Sequence, residues 1–420
     1  MAPQLTARNA TPQDLVKILN EQKAHKLDVV VPATNMKMKD GLLIVKDSEA
    51  VLGEDGVTTT NGIYRPTDVF DDGLSDKLAI PRQYLRRLRG SRPDMLDQNV
   101  NGWLHGRKRV TGSSYPETSK FEVVYPADGR AFLLRLFRGD EGGEGVARAM
   151  LSNKYALSMD NLDMLTAVMS GIRDSGYQPL VRVSNLSERG MRVRFEFPDL
   201  HTQAPGLLDG YRSPFDGGGA VRRAGSFDEL RQQYGAHHMF SEKDAPLAYV
   251  GIDFTNSETG DGKYKLTPVI GIVRCTNGLI DTRNSLARTH LGARLDEGIV
   301  KPSAETIRKA GELVVAQTTD AVNAWLAPEY LERTIAGWTE QAQVPVTASA
   351  ETVPAVVADL GFSQEEQQGV LDLFIRSGQV TAGGIANAVS AYAQTVEDVD
   401  RAYEIELKAV EAMERAAARS

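Results

Sequence analysis

Residues 248–280 constrain the fold of this chain most, because they read as strand, turn, strand and turn in close succession. Between Ala248 and Thr255 the side chains alternate: Val250, Ile252 and Phe254 fall on one face, Tyr249, Asp253 and Thr255 on the other. That is the period of a strand with one buried face. Asn256-Ser257-Glu258-Thr259-Gly260-Asp261-Gly262 follows with turn chemistry: two glycines free to take positive φ, and short polar side chains that bond their own backbone. Residues 264–273 return as a second strand, and Pro268 within it removes one ladder donor, which predicts an edge or a bulge. After Arg274, Cys275-Thr276-Asn277-Gly278 reads as another turn, since Asn-Gly is the strongest hairpin dipeptide.

The rest of the chain is organised around that hairpin in two styles. Up to about residue 300, short helices alternate with strands. Thr11-Pro12 opens a helix with a capping hydroxyl and a proline at the first helical position. Residues 29–31, 42–45, 121–125, 131–138, 146–151, 180–183 and 191–197 are strand candidates. Asp128-Gly129 is read as the turn between 121–125 and 131–138. Residues 46–80 and 199–245 read as irregular, the second interrupted by a short helix at 227–234. From residue 303 onward only helical periodicity remains: 304–326, 329–338, 352–360, 364–377, 381–392 and 396–417. The expected fold is α+β: a mostly antiparallel twisted sheet with flanking helices, followed by an all-helical acidic C-terminal part. The expected division is 1–300 for the mixed body, 301–342 for long helices closing it, and 350–420 for the C-terminal module.

Charge follows the same division. The chain of 420 residues carries a net charge of −8, yet residues 1–300 hold 39 Lys and Arg against 38 Asp and Glu, while residues 301–420 hold 9 against 18. Hydrophobic content of 41% and charged content of 25% are those of a globular protein, and no apolar run is long enough to span a membrane. Met1-Ala2-Pro3-Gln4 begins no basic-then-apolar leader, so no signal peptide is expected. A single cysteine excludes an intramolecular disulfide and fits a reducing cytoplasm.

Several phrases carry a family resemblance. Tyr249-Val250-Gly251, Thr255-Asn256-Ser257-Glu258-Thr259-Gly260 and Arg274-Cys275-Thr276-Asn277-Gly278-Leu279 are three of them. Leu151-Ser152-Asn153-Lys154-Tyr155 with Asp160-Asn161, and Ile80-Pro81 with Tyr84-Leu85, are two more. Together they resemble the phage/plasmid-like protein family, domain of unknown function 932, over roughly residues 70–330. Asn387-Ala388-Val389 with Asp400 and residues 404–406 resembles the tail of phage-borne members. The resemblance implies a mobile-element origin and a bacterial cytoplasm. It marks Asn256, Ser257, Glu258, Gly260, Arg274, Cys275, Asn277 and Gly278 as family residues, and it supplies no activity. Members tend to be encoded among replication, recombination and anti-defence functions.

Chemistry read from the residues favours binding over catalysis. Gly262-Lys263 is followed by Tyr264, and Ser257 stands where a phosphate-binding loop needs its first glycine. No G-x-G-x-x-G opens a helix, and no spacing of His and Cys suits structural zinc, so no cofactor is expected. Asp253, Glu258 and Asp261 are oxygen donors for a hard cation, but they lack the order of a calcium loop. They are the basis of a third reading, a metal-assisted nuclease or hydrolase. Cys275 is expected to be a buried, inert thiol rather than a nucleophile.

The leading reading rests on residues 82–109, where eight basic residues meet two acidic ones. Arg82, Arg86 and Arg89 share one face of a predicted helix at spacings of four and three. With Arg107, Lys108, Arg109 and Arg135, and with Tyr84 and Trp103 interleaved, they predict a groove for single-stranded nucleic acid: guanidinium groups for phosphates, rings for unpaired bases. A solvated face is the plain alternative. The second functional class is a protein-binding factor that counters host defence or builds an assembly, using the acidic helices. Homo-oligomers fit either class, and no membrane partner is expected. The acidic C-terminal module is also a candidate cover for the basic groove.

Overall fold

The computed structural model describes residues 3–419 apart from 47–50, 54–55, 59–60, 115–118, 140–142, 154–159, 208–210, 212–213, 215–246, 261–263, 273–274, 281, 289–297 and 300–302. The fold is α+β, with two main sheets rather than one.

Helix α1 (Pro12–His25) starts as expected: Thr11 accepts from the Asp14 amide at 3.1 Å, and Pro12 takes the first helical position. It runs straight into sheet I, whose strands are β1 (Lys26–Pro32), β2 (Met36–Lys39), β3 (Leu42–Val45), β6 (Gly62–Pro66), β9 (Ala131–Phe137), β10 (Gly145–Ser152) and β17 (Gly298–Ile299). Their order is β17-β1-β9-β10-β6-β3-β2, antiparallel throughout except for the β6–β10 pair. Two separate hairpins, β4 (Val51–Gly53) with β5 (Gly56–Thr58) and β7 (Arg107–Ser114) with β8 (Ser119–Tyr125), lie outside it.

The 46–80 stretch, expected to be irregular, holds β6 and α2 (Asp68–Leu78). Its helical period was hidden because Asp71 and Asp72 sit on the buried face, 1% and 5% exposed, beside Val69, Phe70 and Leu74. Helices α3 (Arg82–Ser91) and α4 (Pro93–His105) follow. With α2 they cover one face of sheet I, where Leu85, Leu88, Leu96, Val100 and Leu104 meet Leu27, Val29, Leu134 and Leu136. The expected hairpin about Asp128-Gly129 does not form: β8 pairs with β7, while β9 pairs with β1 and β10. β9 is buried along nearly its whole length, which suits the middle of a sheet.

Sheet II comprises β11 (Leu180–Leu186), β12 (Met191–Gln203), β13 (Leu247–Asn256), β14 (Tyr264–Ile272) and β15 (Cys275–Ile280) in that order, with β16 (Leu286–Arg288) beside β14. The central hairpin forms, Ala248 facing Ile272 through to Thr255 facing Lys265. β12 continues through Gln203 into the stretch expected to be irregular, with a register shift between Phe197 and His201. Pro268 is not on an edge strand. It falls between the segment of β14 that pairs with β16 and the segment that pairs with β15, so its missing donor breaks neither ladder. Asn277-Gly278 makes no turn either; both lie within β15, Gly278 facing Gly271.

Val193, Phe195, Val250, Ile252, Phe254, Leu266 and Ile270 form the apolar face of sheet II. They share one core with α1, α5 (Asn161–Asp174), α6 (Ala304–Trp325) and α7 (Pro328–Ala342). The same core takes in the C-terminal helices α8 (Ser349–Ala358), α9 (Gln364–Ser377), α10 (Ala382–Thr395), α11 (Val399–Glu406) and α12 (Ala409–Arg419). The C-terminal helices are thus part of the sheet II core. Residues 396–417 form two helices, not one.

Candidate nucleic-acid interface

Helix α3 places its arginines as the spacing predicts, but the face they share turns toward α2. Arg82 Nε lies 2.7 Å from Asp72, and Arg86 Nη2 lies 3.0 Å from the same carboxylate. Arg189, from the β11–β12 turn, pairs with Asp72 as well. Arg89 grips Asp71 with two nitrogens and donates a third bond to the Gly41 carbonyl, holding the β2–β3 turn. Burial pushes the Asp71 carboxyl up, and Arg89 works against that shift. The arginines therefore hold down acidic side chains that would otherwise be stranded against the sheet. Arg82 and Arg86 stay about half exposed, while Arg89 is largely covered. Arg135 is not on a surface at all: it is 2% exposed inside sheet I, 3.8 Å from Asp28. Phe132 and Phe137 beside it are core residues.

The exposed part of the segment lies elsewhere. Among the described residues the exposed large aromatic side chains are Tyr84, Trp103 and Tyr125, at 41%, 57% and 53%. Trp103 is in the last turn of α4. Gly106, at φ 70° and ψ 178°, then reverses the chain, and a Cβ there would stand 2.3 Å from the Tyr125 carbonyl. Only glycine fits. The reversal sets Arg107 opposite Tyr125 across the β7–β8 pair. Arg87 and Arg107 are exposed and carry no ion pair among the described residues, whereas Arg92 is paired with Asp94 and Arg130 with Asp128. Lys108 and Arg109 belong to β7 by backbone; their side chains lie outside the described residues.

The motif residues at the end of β13 form a buried junction. Asn256, Ser257, Glu258 and Thr259 are each under 7% exposed, and Gly260, at φ 87°, leads out to the surface. Asn256 donates to Asn161 at 2.8 Å, and Ser257 and Thr259 both donate to the Arg189 carbonyl, at 2.6 and 2.8 Å. Glu258 accepts from Arg148 and from the Asn161 amide in the first turn of α5. Arg148 sits at the β10 bulge, between Ala147 and Ala149, which turns its side chain toward Glu258. Burial raises the Glu258 carboxyl, but Arg148, Lys26 and the Asn161 amide outweigh it and hold the group at about 2.

Asp253 belongs to a second network on the polar face of sheet II. It accepts from Arg192 at 2.7 Å and from Arg194 at 2.7 and 2.8 Å, and both arginines also reach Glu406 of α11. Tyr403 stacks on Arg192, with the guanidinium carbon 4.1 Å from the ring centre. The oxygen atoms offered for a cation in Asp253 and Glu258 are thus engaged in two different networks, by arginines and, for one oxygen of Glu258, by the Asn161 amide. Among the described residues no group of three His, Cys, Asp or Glu is placed to hold a metal. Asp261 and Arg274 lie outside the described residues, as do the side chains of Cys275 and Asn277; Cys275, Asn277 and Gly278 are placed only as backbone of β15.

Sequence reasoning missed the ion-pairing roles of Arg148, Arg189, Arg192 and Arg194, and marked residues 404–406 only as part of a family-like phrase, without the pairs of Glu406. The one available signal was Arg148 inside the apolar run Val146–Leu151, where a charge needs a partner. Among the described residues the acidic C-terminal helices do not pack broadly on α3, which meets α2 and α4. Among the described residues their ion pairs outside the helical part go to Arg192, Arg194 and Arg283. No protein-family model matches the chain, and neither curated proteins nor solved structures give a match. Among the described residues, no helix is long and apolar enough to cross a membrane.

Proposed function

We propose that this chain binds single-stranded nucleic acid without cleaving it, along the surface that carries Tyr84, Trp103, Tyr125, Arg87 and Arg107. The observation behind this reading is that the large exposed aromatic side chains of the described residues all fall in one segment, beside two exposed arginines with no acidic partner there. Rings of this kind stack on unpaired bases and arginines hold the intervening phosphates, with little demand on sequence. Arg82 and Arg86, held by Asp72, lie on a different face of α3 from Tyr84 and Arg87 and are not counted in this surface. The family resemblance of the 256–260 and 274–279 phrases supports a setting in a phage- or plasmid-borne recombination or annealing function in a bacterial cytoplasm.

The test is fluorescence anisotropy of a labelled oligothymidylate at two salt concentrations. The reading expects binding that weakens as salt rises. It also expects a loss of about 1–3 kcal/mol per stacked base in Trp103→Ala and Tyr125→Ala. No binding at low salt would overturn it, and the acidic helical face as a protein-binding surface would then be the next assay.

A further inference from the structure

The chain is built as two lobes whose sequences interleave. Lobe I comprises β1–β10, α2–α4 and β17; lobe II comprises α1, α5, β11–β16 and the helices from α6 onward. Their apolar cores are distinct: sheet I packs on α2–α4, and sheet II on α1, α5 and the C-terminal helices. Among the described residues, no strand or helix of one lobe packs broadly on an element of the other. Among the described residues, what joins them, besides the direct passage from α1 into β1, is chiefly a row of charges, with Phe137 of β9 set beside Leu19 and Leu162. Asp72 of α2 meets Arg189, and Glu188 takes the Asp68 amide and feels Arg148. Arg148 meets Glu258, and Lys26 meets Asp160, with Asp28 3.3 Å from the same ammonium and Arg135 behind it. Lys26, Phe137, Leu19, Leu162, Asp160 and Glu258 surround a small cavity of about 10 Å³, room for one water.

Two well-packed cores joined by ion pairs are arranged differently from one continuous core. Removing one member of a buried pair leaves a charge that must regain water, while removing both leaves nothing to hydrate. Relative motion of such bodies is the default where the interface is polar. We propose that this charged seam is a hinge, and that unbalancing it separates the lobes as intact bodies. The inference is independent of nucleic-acid binding.

The experiment is a distance measurement by pulsed electron spin resonance. Spin labels go on Gln98→Cys of α4 and Glu332→Cys of α7, both exposed, in a Cys275→Ser background of the full chain. The parent is expected to give one narrow distance. Glu258→Gln strands Arg148 and is expected to add a longer, broader population, with the far-ultraviolet signature of both lobes retained. Arg148→Met combined with Glu258→Gln, which keeps an acceptor for the Asn161 amide, is expected to restore the narrow distance. An unchanged distance in Glu258→Gln, or loss of both cores in a single cooperative step, would overturn the hinge. So would a double variant that stays open.

Discussion

Arg82, Arg86, Arg89 and Arg135 illustrate the gap between a charge in a sequence and a charge free to meet a ligand. Their helical or strand positions were legible; the partners of the three α3 arginines were not, because Asp71 and Asp72 lie in a stretch without a clear apolar period. Arg89→Ala is therefore expected to act on stability, stranding the buried Asp71 at a cost of about 3 kcal/mol, whereas Trp103→Ala acts on affinity. Chemical denaturation and oligonucleotide titration of the two variants would separate these effects. Glu258 gives a prediction for pH. Its carboxyl is held at about 2 in the folded chain against about 4.3 in an unfolded one, so it binds fewer protons when folded. Its contribution, about 3 kcal/mol, is complete above pH 4.5 and is lost as pH falls toward 2. Acid titration of Glu258→Gln should lack that component, and a wild-type curve of the same shape would refute the assignment.

At the scale of elements, the sequence was most readable where period and caps agreed. The β13–β14 hairpin, β11, β12, α1 and α9 form where alternation, Thr11-Pro12 or helical periodicity predicts them, and the Ser363–Glu366 capping box closes the start of α9. It was least readable where tertiary partners decide the pairing. β8 chooses β7 because Gly106 folds the chain back onto Tyr125, and Asn277-Gly278 is absorbed into β15. Gly106→Ala is expected to displace the β7–β8 hairpin, lowering the melting temperature and weakening oligonucleotide binding together; a variant with unchanged values would count against its role. Alternation in β13 predicts one buried face, yet Asp253 on the other face is buried too, where Arg192 and Arg194 reach Glu406 of α11. Glu406→Gln leaves Asp253 as the ion-pair partner that Arg192 and Arg194 share among the described residues, and a loss of about 3–5 kcal/mol is expected by calorimetry.

For the whole molecule, the α+β class and the helical C-terminal part were legible, but the boundary near residue 300 was not the one the cores follow. Lobe II draws on both ends of the chain, which no local pattern encodes. The acidic C-terminal helices spend their charge on sheet II rather than over α3, so removing Glu406 is expected to affect stability and not to unmask the basic segment. The surface of Trp103 is then open to a strand. Trp325 and Trp338 are each 7% exposed, so Trp103 dominates the part of the emission that solvent can reach. The most direct measurement is quenching of tryptophan emission by oligothymidylate, with acrylamide as a probe of access. Stacking predicts that the oligonucleotide quenches the emission and shields it from acrylamide, and that Trp103→Phe abolishes both effects. Emission that ignores the oligonucleotide while acrylamide still reaches Trp103 would contradict the proposed interface.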